Sequence, residues 1–184
     1  KNIWDECSDY KNIFEVIYGN SIIANQIIES PKTHIVCFTG STVVGKKIAL
    51  KCAQTLKPAI LELGGKDPMV VMSDANIKRA VDAAIFGGFA NAGQTCIGVK
   101  RIFVHQSQFE QFKTLIIRKT KTMKSGPHQN NELGPITIQS TYDTVINQLN
   151  QIEESDTIHQ GTIDAKGGTY IPPTIIVEPN QNHD

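Results

Sequence analysis

The sequence lacks the features that mark several broad classes of protein. It has no excess charge of either sign, because 18 Lys and Arg balance 18 Asp and Glu, so nucleic acid is not an expected partner. Its longest apolar runs, such as residues 68–72, fall far below the roughly 18 residues that a membrane span needs. With 184 residues and 40% hydrophobic content, we expect a soluble globular chain of one domain or two small ones, with no membrane partner.

Cysteine is also scarce. The four cysteines are Cys7, Cys37, Cys52 and Cys96. They show neither C-x-x-C spacing nor the density of a disulfide scaffold, which favours a reducing, cytoplasmic location. His34 and Cys37 have H-x-x-C spacing, but no second ligand pair follows, so no metal site is predicted. The chain starts at Lys1 with a charged segment that lacks the apolar core of a signal peptide, and we expect it to begin within a longer protein.

The first third of the chain alternates between extended and helical patterns. Strands are predicted over residues 13–18, 34–38 and 59–63, and helices over residues 21–29 and 42–55. This β-α-β-α-β order predicts parallel strands joined by right-handed crossovers, as in half of a doubly wound nucleotide-binding sheet.

The pattern restarts after Gly64 and Gly65. A strand is predicted over residues 68–72, a helix start at Ser73 and Asp74, and a strand over residues 102–105. The first helix carries its apolar face at Ile77, Ala80, Val81, Ala84, Ile85, Gly88 and Phe89. Ser107 with Glu110 predicts a capping box for a second helix ending near residue 123, before a loop over residues 125–135. A third helix, about 139–154, is predicted to face inward through Tyr142, Val145, Ile146, Leu149 and Ile152. Short strands at residues 157–159 and 174–177 follow.

The segment FTGSTVVG, residues 38–45, is a candidate phosphate-binding turn. It lies where a predicted strand ends and a helix begins, and a helix N-terminus offers free N–H groups to an anion. Gly40 would let the backbone approach a phosphate, and Gly45 would let the helix lie close to the sheet. The alternative is an ordinary turn capped by Ser41 or Thr42.

A second functional alternative is a P-loop, since Gly40 to Lys46 also fit the first seven positions of G-x-x-x-x-G-K-[ST]. Lys47 occupies the position of the hydroxyl residue that would hold Mg²⁺, and a cation there would repel the metal. This disfavours an ATPase.

Cys96 is a candidate nucleophile because the segment NAGQTC places it on a loop at an element end, where catalytic groups are common. A thiolate attacks carbonyl carbon well, and loop N–H groups can stabilise the resulting oxyanion. The alternative is a small buried residue, and that is what we predict for Cys7, Cys37 and Cys52.

Glu62 is a candidate general base at the end of an apolar strand. Burial between Leu61 and Leu63 would raise its pKa and favour activation of water. The alternative is a strand residue that faces solvent.

Three segments taken together, FTGSTVVG, LELGGKDP and FANAGQTC, strongly resemble the aldehyde dehydrogenase superfamily in their order. The separation of Cys96 from Glu62 is also that of the family's cysteine and glutamate motifs. Similarity continues through KRIFVH, the LGP turn at Leu133 to Pro135 and GGTYIPPTIIV, so it spans the whole chain.

The resemblance implies an NAD- or NADP-dependent oxidation of an aldehyde to a carboxylic acid. Cys96 would form a thiohemiacetal and then a thioester, and Glu62 would activate the water that hydrolyses it. Gly40 and Ser41, with Thr42 beside them, would lie near the cofactor's ribose and pyrophosphate. Gly45 would be the helix-packing glycine, and the Leu63–Gly64 pair would border the nicotinamide.

The resemblance also implies an α/β fold in which residues 1–63 are the C-terminal part of a Rossmann-like cofactor domain. Residues 64–184 would be the N-terminal part of the catalytic domain. The family's oxyanion-hole asparagine would precede the chain and its EEIFGP-type segment would follow it, so we expect a central fragment that is inactive alone. The full-length protein is expected to be a homodimer or homotetramer. A non-catalytic remnant with a partial nucleotide-binding fold is the alternative.

Overall fold

The structure is a computed structural model that describes residues 13–152 and 157–179. The chain divides into two compact units, Lys1–Leu63 and Gly64–Asp184, and each is described by itself. Within the described ranges, no helix is both long and apolar enough to cross a membrane.

The first unit alternates helices with two parallel strands. Its elements are α1 (Ser21–Glu29), β1 (Val36–Thr39), α2 (Thr42–Gln54) and β2 (Ala59–Glu62). β1 and β2 pair in parallel from Val36 opposite Ala59 to Thr39 opposite Glu62. The predicted parallel arrangement of these two strands and the predicted bounds of α1 are therefore confirmed.

The core of this unit lies between the helices and one face of the strand pair. Ile28 from α1 meets Ile48 and Cys52 from α2, with Val36, Phe38 and Leu61 packed against them. In α2 the buried positions are Gly45, Ile48 and Cys52, and this spacing places all three on one side of a helix.

The strand predicted over residues 13–18 is not observed, because these described residues carry no strand assignment. Ile13 and Ile17 are exposed, at 63% and 60%. A β-branched apolar run favours a strand only where a neighbouring strand supplies ladder hydrogen bonds, and no sequence pattern guarantees that neighbour.

The second unit contains the remaining elements. They are β3 (Asp67–Val71), α3 (Ile77–Phe89), a short 3₁₀ helix (Ala90–Gly93), β4 (Val99–Val104), α4 (Gln106–Thr122), β5 (Lys124–Ser125), α5 (Gln139–Asn150), β6 (Thr157–Gln160), β7 (Thr162–Ile163) and β8 (Thr174–Val177). β3 pairs with β4 and β5 with β7 in parallel, whereas β6 and β8 are antiparallel. The β5–β7 pair was not predicted, because Ser125 of β5 falls in the segment expected to be a loop and no strand was predicted over residues 162–163.

Helices α3 and α4 cover one face of the β3–β4 pair and form the main core of this unit. Its buried members are Val71, Ile77, Val81, Ala84, Phe112 and Ile116. The apolar face predicted for α3 is confirmed, since Ile77, Val81 and Ala84 are its buried residues. The opposite face of the strand pair is open, with Val70 64% and Phe103 50% exposed.

The first two predicted helix starts in this unit are wrong, whereas the third, at residue 139, is correct. Helix α3 begins at Ile77, because the Asn76 side chain accepts a hydrogen bond from Arg79 N, while Ser73 and Asp74 lie in a turn closed by Ala75 N donating to Met72 O. Helix α4 begins at Gln106 and is capped by the His105 ring, which accepts from Ser107 N. Asn and His compete successfully for these caps because their acceptor atoms reach the free N–H groups of the first turn.

Helix α5 is shorter than predicted and ends at Asn150; positions 153 and 154 of the prediction lie outside the described residues. The five residues expected to face inward are all half-buried, namely Tyr142, Val145, Ile146, Leu149 and Ile152. The predicted face of α5 is therefore correct, although α5 contributes no fully buried residue.

Candidate active site

In the first unit, the glycine turn and Glu62 meet at the carboxyl ends of the two parallel strands. Gly40 N donates to Glu62 O at 3.0 Å, and Thr39 is the register partner of Glu62. Ser41 follows as the N-cap of α2, and its hydroxyl accepts from Val44 N at 3.3 Å. The turn thus combines an open sheet edge with a helix N-terminus, which is where α/β sheets bind anionic groups.

Gly45 is buried inside α2 and lies against Leu63. A Cβ atom at this position would stand 2.5 Å from Leu63 Cδ2, so a larger residue would require the leucine or the helix to move. The close helix-to-strand packing predicted for Gly45 is therefore observed. Gly64, in contrast, has open space where a Cβ atom would lie.

The P-loop alternative does not fit this geometry. Helix α2 already begins at Thr42, so the residues that would form the phosphate-cradling loop are helical. Lys46 and Lys47 are exposed residues within the helix. A helical segment cannot direct its successive N–H groups at one phosphate in the way that a P-loop does.

The expected burial of Glu62 is wrong, because its side chain is exposed. Successive side chains in a strand point to opposite faces. Leu61 faces the core and packs with the buried residues of the first unit, so Glu62 faces away from that core. The same alternation explains a second error, since Cys37 is exposed in β1 between the inward-facing Val36 and Phe38.

In the second unit, Cys96 lies in a turn closed by Gly98 N donating to Thr95 O at 3.1 Å, and its side chain is exposed. The backbone leading to it is left-handed at three successive residues: φ is 54° at Asn91, 55° at Ala92 and 74° at Gly93. Asn and Gly adopt this region readily, whereas it costs Ala92 about 1–2 kcal/mol. The surrounding contacts must therefore compensate for a conformation that alanine does not favour.

Two glycines, Gly65 and Gly98, allow close packing around the Cys96 turn. A Cβ atom at Gly65 would lie 2.8 Å from Cys96 O, and one at Gly98 would lie 2.7 Å from Lys100 Nζ. Lys100 Nζ in turn donates to Gly93 O at 2.9 Å. Desolvation lowers the pKa of Lys100, and the nearby Asp67 carboxylate opposes that shift. Lys100 therefore bonds to Gly93, the last residue of the left-handed segment, and its ammonium group lies close to Gly98, where the turn closes.

The side chain of Gln94 connects the same turn to a distant loop. Its Nε2 donates to Asn91 O at 3.1 Å and to Pro135 O at 3.2 Å. Its Oε1 accepts from Thr137 N and from Thr137 Oγ1, both at 2.9 Å. Gln94 thus joins the Cys96 segment to residues 135–137.

With this geometry established, comparison with known proteins assigns the family. The model of the aldehyde dehydrogenase family matches residues 2–184. The chain belongs to the aldehyde dehydrogenase family. The resemblance predicted from the three sequence segments is thereby confirmed.

Relatives with assigned names agree with this family membership. The chain is 34% identical over 135 residues to D-glyceraldehyde dehydrogenase (NADP(+)) of Picrophilus torridus, an alignment that covers 73% of this chain and 27% of the relative. It is 33% identical over 178 residues to succinate semialdehyde dehydrogenase of Acinetobacter baylyi, covering 91% and 36% respectively.

A solved structure also matches. The aldehyde dehydrogenase of Bacillus cereus in its NAD+ complex superposes with a TM-score of 0.80 at 29% identity, covering 87% of this chain and 33% of that one. This match confirms the expected α/β aldehyde dehydrogenase fold. The chain spans about a third of the length of the relatives that it matches.

Several residues that contact the Cys96 turn were not identified from the sequence. Gln94 belongs to the quoted cysteine motif, but its partner Thr137 lies 43 residues away. Lys100 follows the cysteine in KRIFVH, and Gly65 follows Glu62 in LELGGKDP. Gln94, Lys100 and Gly65 all belong to segments that resemble the family's motifs, and this was their one indication in the sequence. The spacing of these residues along the chain does not predict which residues they contact.

The three described cysteines should differ in thiol reactivity. We expect iodoacetamide to modify Cys96 first, because its turn leaves the thiol open to approach. Cys37 should follow more slowly, since it is exposed but lies in β1 opposite Ile60. Cys52, at 1% exposure, should react only when the unit opens. Peptide mapping after stoichiometric labelling measures this order, and faster labelling at any other cysteine, Cys7 included, would contradict it.

Proposed function

We propose that the protein containing this chain oxidises an aldehyde to a carboxylic acid with NAD or NADP as the hydride acceptor. The observation that carries the proposal is the exposed Cys96 thiol, presented on a turn that follows an unfavourable left-handed segment at residues 91–93. Strained backbone at an exposed nucleophile is typical of catalytic sites. The relatives named above are dehydrogenases of two different aldehydes, so the substrate class is taken to be an aldehyde.

The residues of the first unit fit a dinucleotide. Gly40, Ser41 and Thr42 form the turn and first helical residue at the carboxyl ends of parallel strands, where backbone N–H groups favour a pyrophosphate. Gly45 acts on packing, through its contact with Leu63. We assign Leu63 and Gly64 to the nicotinamide side of the site. The bound nicotinamide supplies the hydride-accepting carbon, and the named relatives include both an NADP(+) enzyme and an NAD+ complex.

In the proposed reaction the Cys96 thiolate adds to the aldehyde carbonyl carbon and forms a thiohemiacetal. Among the described residues, Cys96 N has no acceptor, which leaves this N–H free to stabilise the oxyanion. With a nicotinamide bound as hydride acceptor, the thiohemiacetal carbon would give up hydride and become the carbonyl carbon of a Cys96 thioester. Glu62 then accepts a proton from water as the water attacks the thioester carbonyl, and collapse releases the carboxylic acid and the Cys96 thiolate.

This assignment also gives each unit a role. Residues 1–63 would be part of the cofactor domain and residues 64–184 part of the catalytic domain, a division that agrees with the boundary between Leu63 and Gly64.

The test compares two proteins with several aldehydes and both cofactors, by following reduced nicotinamide absorbance. A full-length protein that contains this segment should reduce the cofactor. The 184-residue chain alone should show no measurable turnover, because loss of one oxyanion donor costs about 10²–10³ in rate and misplacement of the reacting groups costs about 10² more. Inactivity of the full-length protein would favour the non-catalytic alternative, and robust turnover by the 184-residue chain would contradict the expected incompleteness.

A further inference from the structure

We propose that Gln94 is a positioning residue for Cys96, acting through its hydrogen bonds to Thr137 and Pro135. This inference deepens the dehydrogenase proposal and rests on it for its catalytic consequence. A primary amide has two N–H donors and an oxygen with two acceptor sites. Gln94 makes two bonds from Nε2, to Asn91 O and Pro135 O, and its Oε1 accepts two from Thr137. Its side chain is therefore saturated.

The orientation of the amide follows from its partners. Thr137 N can only donate, so it must face the amide oxygen of Gln94. The carbonyls of Asn91 and Pro135 can only accept, so they must face the amide nitrogen. Reversing the amide would place donors against donors and acceptors against acceptors. One amide orientation is therefore selected.

The loop that receives Gln94 is itself fixed. Ile136 is 7% exposed, its N–H donates to Thr169 O at 2.9 Å, and its carbonyl accepts from Thr169 Oγ1 at 2.6 Å. The residues on either side, Pro135 and Thr137, are the two that bind Gln94. Because two hydrogen bonds to Thr169 hold Ile136 in place, residues 135–137 can serve as a fixed reference point for the Cys96 segment.

On the other side, Gln94 is bonded to the strained backbone before the cysteine. The backbone N–H of Gln94 donates to Asn91 O at 3.1 Å. The side-chain Nδ2 of Asn91 donates in return to the backbone carbonyl oxygen of Gln94 at 3.2 Å. Thr95 Oγ1 adds a bond to Ala90 O at 3.3 Å. These bonds offset the cost of the left-handed residues, and Cys96 lies two positions beyond Gln94. The Gln94 side chain thus transmits the position of residues 135–137 to the nucleophile.

The test uses Gln94→Glu in a full-length protein containing this segment. The change keeps the side-chain shape but replaces the donating nitrogen with an oxygen, which opposes two carbonyl oxygens. We expect kcat for hydride transfer to fall by about 10²-fold, the effect of misplacing a reacting group, with the cofactor KM changed by less than about 2-fold. Thr137→Val should lower kcat less, since Thr137 N remains, and Thr137→Ser should restore the parent value.

The matched control is Gln108→Glu, which removes an amide donor to Ser73 O in the same unit but away from the Cys96 turn. Parent-like kcat in Gln94→Glu, or failure of Thr137→Ser to restore what Thr137→Val loses, would overturn the proposal.

Amide hydrogen exchange provides a readout that does not need activity. In Gln94→Glu, residues 91–97 should exchange faster while β4 keeps the parent rate. Equal acceleration throughout the unit would indicate a general stabilising role and would contradict positioning. If the parent protein oxidises no aldehyde, the dehydrogenase proposal fails, and the exchange pattern alone then decides whether Gln94 fixes the turn.

Discussion

Replacing Cys96 by Ala or Ser in a full-length protein should reduce aldehyde oxidation by a factor of the order of 10⁴ or more, as loss of a covalent nucleophile does in other enzymes. The alanine variant has no atom to add to the carbonyl. The serine hydroxyl is a far weaker nucleophile than a thiolate at neutral pH. The measurement is the steady-state rate of cofactor reduction at saturating aldehyde.

Cys37→Ser is the matched control, since Cys37 is also an exposed thiol but lies in β1 of the first unit. Its activity should equal that of the parent. Comparable losses in the two variants would indicate a general effect of thiol removal, and full activity in Cys96→Ala would eliminate Cys96 as the nucleophile.

Glu62→Gln should separate the two halves of the reaction. If Glu62 activates water, the amide variant still forms the thioester, so one rapid turnover of cofactor reduction should precede a steady state slower by about 10²–10⁴-fold, the usual contribution of a general base. Stopped-flow absorbance with excess aldehyde measures both phases. The exposed position of Glu62 leaves its carboxylate open to water.

Glu110→Gln is a suitable comparison, because Glu110 is an exposed glutamate on α4 that pairs only with the neighbouring Lys113 among the described residues. It should behave as the parent does. Disappearance of the rapid phase in Glu62→Gln would show that Glu62 acts before hydride transfer, on the cysteine itself, and would reject the assigned role in hydrolysis.

Patterns within one helix or strand were predicted well from the sequence. The α3 face through Ile77, Val81 and Ala84 follows from helical periodicity alone, and α1 has its predicted bounds. Such patterns depend on residues within about one or two turns of each other, whose geometry is fixed by the helix itself. The positions of Cys96 on a turn and of Ser41 at the start of α2 were also predictable, because each lies within a short contiguous motif.

Side-chain direction was harder to predict at the ends of elements. Ser107 with Glu110 satisfies the capping-box pattern, yet the ring of His105 caps α4. Likewise, Glu62 between two leucines was expected to be buried, although strand alternation turns it away from the core. In both cases the sequence permits two arrangements, and packing of neighbouring elements selects one.

The sequence by itself determined the family, the candidate nucleophile and base, and the glycine turn, because each lies within a short contiguous motif. Only the tertiary structure decided which residues surround the nucleophile: Gly65 against the carbonyl of Cys96, Lys100 on Gly93, and Thr137 on Gln94. The Gln94–Thr137 bonds join residues 43 positions apart. Periodicity carries no information about such pairs, because the contact exists only after intervening helices and strands have packed and brought two loops together.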